Sequence, residues 1–334
     1  MAELVSILIA AYNAEKWISE TIQSALDQTW PDKEIIVVDD GSTDNTLLAA
    51  GRFEAAGVRI IRQGNRGASA ARNAALGHAR GDYIQWLDAD DLLAPDKIER
   101  QLEDPAREGN PRILLSGPVG TFYYRTSKAK FVINPCLQQD LHPVDWMLFK
   151  LGMGAWQCPH NWLVSRELTA IAGPWDERLS LDDDGEYFAR IMLASEKVRF
   201  VRGAVSYYRV CSTCGVSRSF SGKAMESAFL SAELTIDHVL RVEDSARTRE
   251  AALKFLGRWF AQFYHAGESA LMAEAETLAR ELGGSLEPRA DWKFLFVRKL
   301  FGPRPANSLK NLVWRAGVLA RRNVDRLFSV MFGS

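Results

Sequence analysis

Residues 1–105 alternate two hydrophobic periods, and few folds accommodate that alternation. Val5-Ser6-Ile7-Leu8-Ile9 is a near-continuous apolar run of strand length, and Ile18, Ile22, Ala25 and Leu26 then recur at helical spacing. Glu34-Ile35-Ile36-Val37-Val38 is a second strand, closed by Asp39-Asp40-Gly41-Ser42, a turn that offers Ser42, Thr43 or Asp44 as helix N-cap. Val58-Arg59-Ile60-Ile61 is a third, Ala68 to Ala79 is helical, and Gly81-Asp82 turns into a fourth strand, Tyr83-Ile84-Gln85-Trp86-Leu87. Strands alternating with helices of this length imply β-α-β units and an α/β fold, a mostly parallel sheet flanked by helices on both faces. Such sheets bind ligands beyond the carboxyl ends of their strands. The polar clusters lie there: Tyr12-Asn13, Asp39-Asp40, Asn65-Arg66 and Asp88 to Asp91.

Between 111 and 210 the pattern loosens into shorter strands, Ile113-Leu114-Leu115, Phe122-Tyr123-Tyr124 and Val205-Ser206-Tyr207-Tyr208, with helical pieces at 143–151 and 185–195. Residues 222–284 are helix-rich, with Leu230, Leu234 and His238, then Leu253, Leu256 and Phe260, stepping by three or four. Residues 289–334 carry ten basic side chains against Asp291 and Asp325, a local +8 in a chain of net −1. That overall balance gives bulk nucleic-acid binding no support. The 47% apolar and 25% charged composition is that of a globular chain. No run approaches the roughly 18 apolar residues of a membrane span, and Met1-Ala2-Glu3-Leu4 lacks a basic leader, so the expected location is cytoplasmic. Cys211 and Cys214 form a Cys-x-x-Cys without the partners of a zinc or redox site, so Cys136, Cys158, Cys211 and Cys214 read as reduced thiols.

Four constellations carry possible chemistry. In Asp88-Ala89-Asp90-Asp91, carboxylates at a strand end can approach one cation, and oxygen-only ligation suits Mg²⁺ or Mn²⁺; a solvated turn with a helix cap fits equally. Asp40 in the second turn can accept from a base N–H or a ribose hydroxyl, or the turn serves only as a cap. Asn65 to Asn73 combines small residues with Arg66 and Arg72, donors for phosphate or carboxylate. Asp182-Asp183-Asp184-Gly185-Glu186 at a helix start fits the macrodipole, yet crowded carboxylates also raise one another's pKa, as a general base requires.

Taken in order, these segments resemble the family 2 glycosyltransferases, the large inverting family with the GT-A fold. The resemblance rests on Val5 to Asn13, Glu34 to Asp44, Asn65-Arg66-Gly67 with Ala71-Arg72-Asn73, and Gly81 to Asp91. It continues less strictly through Trp175-Asp176-Glu177 and the acids at 182–186. It implies a nucleotide-diphospho-sugar transferase fold with a catalytic domain over 1–215. That domain would comprise a nucleotide-sugar half (1–105) and an acceptor half (106–215), followed by a helical C-terminal region, 216–334, ending in the basic amphipathic tail. Ala11, Tyr12 and Asp40 would hold the nucleoside, with Arg66 and Arg72 near the base or diphosphate. Asp88 and Asp90 would form the D-x-D motif, Asp90 the direct ligand of Mn²⁺ or Mg²⁺. The proton would go to Asp184, with Asp183 and Glu186 as alternates, and Trp156, His160 and Trp162 are acceptor-side candidates. Asp91 is left as a cap.

The implied activity is transfer of one sugar from a UDP-, GDP- or dTDP-sugar to a hydroxyl of a saccharide or lipid-linked saccharide, in cell-surface polysaccharide, lipopolysaccharide or glycoconjugate synthesis. The Gln-x-x-Arg-Trp of processive members is absent. Where many relatives have Tyr-Arg-His, this chain reads Tyr208-Arg209-Val210, with Ser217 and Arg218 as substitutes. The competing reading is a catalytically silent nucleotide-sugar or carbohydrate binder of the same fold. The tail fits either an interfacial helix pair at the inner face of the plasma membrane or a lid on the catalytic domain.

Overall fold

The computed structural model describes residues 3–107, 109–131, 135–210, 222–287 and 325. Cys211, Cys214, Ser217, Arg218 and all of the basic tail except Asp325 lie outside the described residues. In chain order the elements are β1 (Val5–Ala11), α1 (Ile18–Leu26), β2 (Lys33–Asp39), α2 (Thr46–Gly51), β3 (Arg59–Arg62), α3 (Ala68–His78), β4 (Tyr83–Asp88), β5 (Leu92–Leu93), α4 (Lys97–Leu102), β6 (Ile113–Ser116), β7 (Val119–Phe122), β8 (Lys130–Phe131), α5 (Pro143–Leu148), β9 (Leu163–Ser165), α6 (Arg166–Ala172), α7 (Asp183–Ala194), β10 (Lys197–Phe200), β11 (Ser206–Arg209), α8 (Gly222–Val242), α9 (Ala246–Ala266) and α10 (Ser269–Glu281).

The main sheet has seven strands in the order β10-β6-β9-β4-β1-β2-β3. All neighbours run parallel except at β9, which is antiparallel to β4 and β6. The register explains the continuous apolar runs. Val5, Ile7 and Ile9 of β1 face one core with Ile35 and Val37 of β2, and Leu8 faces the other with Ile36, Val38, Ile84 and Trp86. A strand buried on both faces has no polar side to present.

β9 was not apparent in the sequence. It is only Leu163-Val164-Ser165, and Ser165 at once becomes the N-cap of α6, accepting from Leu168 N–H at 3.1 Å. The strand expected at Phe122 to Tyr124 lies at Val119–Phe122 instead. Tyr124 N–H donates to the Asp325 carboxylate at 3.0 Å, so the chain has left the ladder by then. Asp325 also pairs with Arg125 at 2.8 Å, which ties this point of the tail to the turn after β7.

A second sheet, β5-β11-β7-β8, brings β11 beside the segment that follows β4. The helices α8, α9 and α10 share one apolar cluster with Trp86, Trp162, Trp175 and α7. They therefore form one wall of the main core. Among the described residues no helix is long and apolar enough to cross a membrane.

Candidate active site

At the end of β4 the chain turns tightly, Asp91 N–H donating to Asp88 O at 3.1 Å. Asp88 and Asp90 stay partly exposed, while Asp91 is 1% exposed. Asp91 is not a cap, because α4 starts only at Lys97, behind Asp96. Its Oδ1 accepts the Arg209 N–H at 2.6 Å, and its Oδ2 lies 3.0 Å from Nδ1 of the enclosed His160. Burial disfavours the imidazolium, but the neighbouring Cys158 and then Asp91 outweigh that and hold His160 well above its ordinary pKa. The pair closes on itself. Beyond it, Cys158 Sγ is 3.0 Å from His160 Nε2, and burial pushes the thiol up, keeping it neutral.

Arg209 of β11 clamps the same turn. Its Nε donates to Asp90 O at 2.7 Å and its Nη2 to Glu20 Oε2 at 2.7 Å, with the guanidinium carbon 4.1 Å from the Trp17 ring and 4.5 Å from that of Phe122. Ligand atoms of Asp88, Asp91 and His160 lie within 4.8 Å of one another. With Asp91 and His160 engaged together, the partly exposed donors at this strand end are Asp88 and Asp90. That is a hard oxygen set, and it fits Mg²⁺ or Mn²⁺.

Across the cleft stands the acidic turn that opens α7. Arg72 of α3, packed 4.4 Å from the Trp175 ring, donates to Asp88 Oδ1 at 3.0 Å and to Asp183 Oδ2 at 2.6 Å. Ser69 Oγ adds a bond to Asp183 at 3.2 Å. Asp182 sits in the left-handed region at φ +61°, where Ser231 Oγ of α8 donates to its Oδ2 at 2.8 Å. Ser227 Oγ, also of α8, accepts from Ser180 N–H at 2.8 Å and Leu181 N–H at 3.0 Å. Glu186 is occupied as well, held by Arg190 at 2.7 Å and His238 at 2.9 Å, and these partners lower its pKa despite burial.

Asp184 differs from its neighbours. Its carboxylate accepts one hydrogen bond among the described residues, from Gly185 N–H at 2.9 Å, and lines a small cavity with Trp146, Lys150, Trp156, Trp162 and Phe188. Burial first, then the charges of Asp183 and Asp182, push its pKa up to about 7, against the pull of Lys150 and Arg72. A carboxyl of that pKa can take a proton near neutral pH.

On the other side, at the ends of β1 and β2, Ala11 is buried and Tyr12 is 50% exposed. Ser42 does not cap a helix; its Oγ accepts from Asn13 N–H at 2.9 Å, while Asp44 receives the Thr46 N–H at the start of α2 at 3.0 Å. Asp40, 3% exposed, accepts from Gln63 Nε2 at 2.7 Å, Arg66 N–H at 2.9 Å and Gly67 N–H at 2.8 Å. These bonds shape the loop that carries Arg66. Gly41 makes the approach possible, since it has φ +72° and a Cβ there would lie 2.8 Å from Asn65 N. Arg66 itself is 63% exposed and pairs with Glu177 at 2.9 Å.

The acceptor-side trio divides. His160 and Trp162 are enclosed at 0% and 1% exposure, Trp162 in the wall of the Asp184 cavity, and Trp156 alone of the three is open, at 50%. Three participants went unread in the sequence, Lys150 and Ser227 and Ser231 of α8, and Arg209 was read only as the middle of Tyr208-Arg209-Val210, with no partner assigned. Only the two serines left a trace, since they fall four residues apart on the buried side of a helix, where small polar residues need a partner.

Residues 6–166 match the family model Glycosyl transferase family 2. The chain is 29% identical over 221 residues to glycosyltransferase GlyG of Streptococcus pneumoniae, covering 63% of this chain and 71% of GlyG. It is 37% identical over 217 residues to the uncharacterized glycosyltransferase EpsJ of Bacillus subtilis, covering 63% and 62%. It is 45% identical over 103 residues to the putative teichuronic acid biosynthesis glycosyltransferase TuaG of Bacillus subtilis, covering 30% of this chain and 41% of TuaG. Among solved structures, S. aureus TarS residues 1–349 in complex with UDP-GlcNAc aligns with a TM-score of 0.66 at 18% identity, covering 84% of this chain and 81% of that one. At that identity the likeness is one of fold.

Proposed function

The chain belongs to glycosyltransferase family 2, and from that premise we propose that it moves one sugar from a nucleotide-diphosphate sugar to a saccharide hydroxyl with inversion, in surface polysaccharide synthesis. The observation that carries the proposal is Asp184, the acid of its cluster whose carboxylate takes neither an ion pair nor a side-chain hydrogen bond among the described residues, with its pKa raised to about 7 beside the exposed Trp156. Asp184 takes the acceptor proton. The freed oxygen forms a bond to the anomeric carbon as the bond to the nucleotide diphosphate breaks on the opposite face, and the diphosphate leaves with that electron pair. Tyr12 and Arg66 supply the exposed contacts to the nucleotide, and Asp40 and Arg72 set the loop and helix behind them. Asp88 and Asp90 would hold Mg²⁺ or Mn²⁺, which when bound neutralises charge on a leaving diphosphate.

The likeness to a fold solved with UDP-GlcNAc supports a nucleotide-sugar donor without selecting the nucleotide. A thermal-shift panel of UDP-, GDP- and dTDP-sugars with and without Mn²⁺ tests the donor side, with stabilisation by at least one of them as the expected result. If no nucleotide stabilises the protein under either condition, the proposal is wrong. If one does but no sugar is transferred or hydrolysed, the chain is a silent binder.

A further inference from the structure

The cavity at Asp184 adjoins a second one, of ≈ 240 Å³, and the two share Trp156 and Gln157. The larger cavity lies between the start of β7, the turn at Leu137-Gln138 and the Gly154 to Gln157 loop. None of its described lining residues carries a charge. Resting on the reading of Asp184 as the base, we infer that this cavity is the acceptor subsite and that it takes an uncharged pyranose.

Three features converge on that ligand class. The volume falls below the roughly 300–1,000 Å³ of sites for drug-sized ligands, so it suits one sugar ring rather than an extended chain. Trp156 is half-exposed, braced edge-on by Tyr208 with ring centroids 5.2 Å apart, and offers an apolar surface for the C–H face of a sugar. The carboxamides of Gln138 and Gln157 give and accept hydrogen bonds without charge, as neutral hydroxyls or an acetamido group require. An anionic group would meet no cation among the described residues that line this cavity, and Lys150 in the adjoining cavity already acts on the Asp184 carboxylate. Burying it there unpaired is costly.

The test compares acceptors with the nucleotide sugar that the enzyme turns over. Neutral p-nitrophenyl β-glucoside and β-N-acetylglucosaminide are set against p-nitrophenyl β-glucuronide and a 6-phosphoglucoside. The neutral pair should lead in kcat/KM by about tenfold or more. Trp156→Ala should raise the acceptor KM by about tenfold, Trp156→Phe should recover much of the loss, and Gln138→Arg should shift the glucuronide-to-glucoside ratio upward by about tenfold. The nucleotide-induced thermal shift reports whether each variant is folded. Anionic acceptors used as well as neutral ones, an unchanged KM in folded Trp156→Ala, or donor hydrolysis with no neutral acceptor used each overturn the inference and leave the donor reading intact. Absence of any nucleotide binding removes the donor reading, and the inference falls with it.

Discussion

Arg72 places one guanidinium nitrogen 2.6 Å from Asp183 while the other lies 3.0 Å from Asp88, so one side chain of α3 joins the end of β4 to the start of α7. The guanidinium is 10% exposed. Its two terminal nitrogens are committed to carboxylates, which makes Arg72 a strut between the two halves of the cleft and only indirectly a ligand contact.

Arg72→Met would leave Asp88 and Asp183 beside Asp184 with no cation between them. Breaking a buried pair in this way should lower stability by about 3–5 kcal/mol, and Arg72→Lys should lose less, since it keeps the charge but cannot span both acids. Urea denaturation followed by circular dichroism checks both. A loss under about 1 kcal/mol in Arg72→Met would mean that solvent already screens the acids.

Asp184→Asn should reduce sugar transfer by about 10²–10⁴-fold while leaving nucleotide-induced stabilisation in place. In the wild type, with the carboxyl at about 7, kcat should fall with each pH unit below neutrality and level off above it. The stability effect has the opposite sense. A carboxyl whose folded pKa lies above its unfolded value of 3.8 favours the fold fully below that value, and the benefit is lost as pH rises through about 7. Asp184→Asn should therefore be at least as stable as the wild type at pH 8. A variant that melts well below the wild type at pH 8 would make Asp184 a structural residue.

The alternation of strand and helix through residue 105 was legible because a parallel sheet buried on both faces writes itself as unbroken apolar runs. A carboxyl of raised pKa within 182–186 was legible for a different reason, since four acids in five residues crowd one another wherever they fold, while only the family resemblance pointed to Asp184 among them. What stayed hidden depends on separations along the chain that no spacing encodes. Asp91 meets His160 across β9, a strand of three residues, and Arg209 reaches Asp90 and Asp91 only because β11 pairs with β5. His160, an acceptor-side candidate by sequence, faces inward, its Nδ1 3.0 Å from the buried Asp91 carboxylate.

The Asp91 and His160 pair should behave as a coupled unit. Either Asp91→Asn or His160→Gln alone leaves an unbalanced buried group and should cost about 3–5 kcal/mol. The double variant, with neutral partners of similar shape, should cost clearly less than the sum of the two. A double-mutant cycle in guanidinium chloride measures the coupling, and strict additivity would show that the two side chains do not act as a pair.

Gly185→Ala gives the sharpest test of how α8 holds the acidic turn. At an ordinary helix position the change would stabilise by up to about 1 kcal/mol. Here an added Cβ would lie 2.3 Å from Asp182 Oδ1, a carboxylate that Ser231 holds at 2.8 Å while the backbone sits at φ +61°. The Asp182 side chain must swing away, break its bond to Ser231 and drag the turn that carries Asp184. The net effect should be destabilisation by about 1–3 kcal/mol, with a loss of kcat and little change in nucleotide-induced stabilisation. Ser231→Ala releases the same carboxylate from the other side. Adding Gly185→Ala to that variant should then cost less than it does alone, since the bond it would break is already gone. If the second substitution costs as much in the Ser231→Ala background as in the wild type, α8 does not position the turn through Asp182.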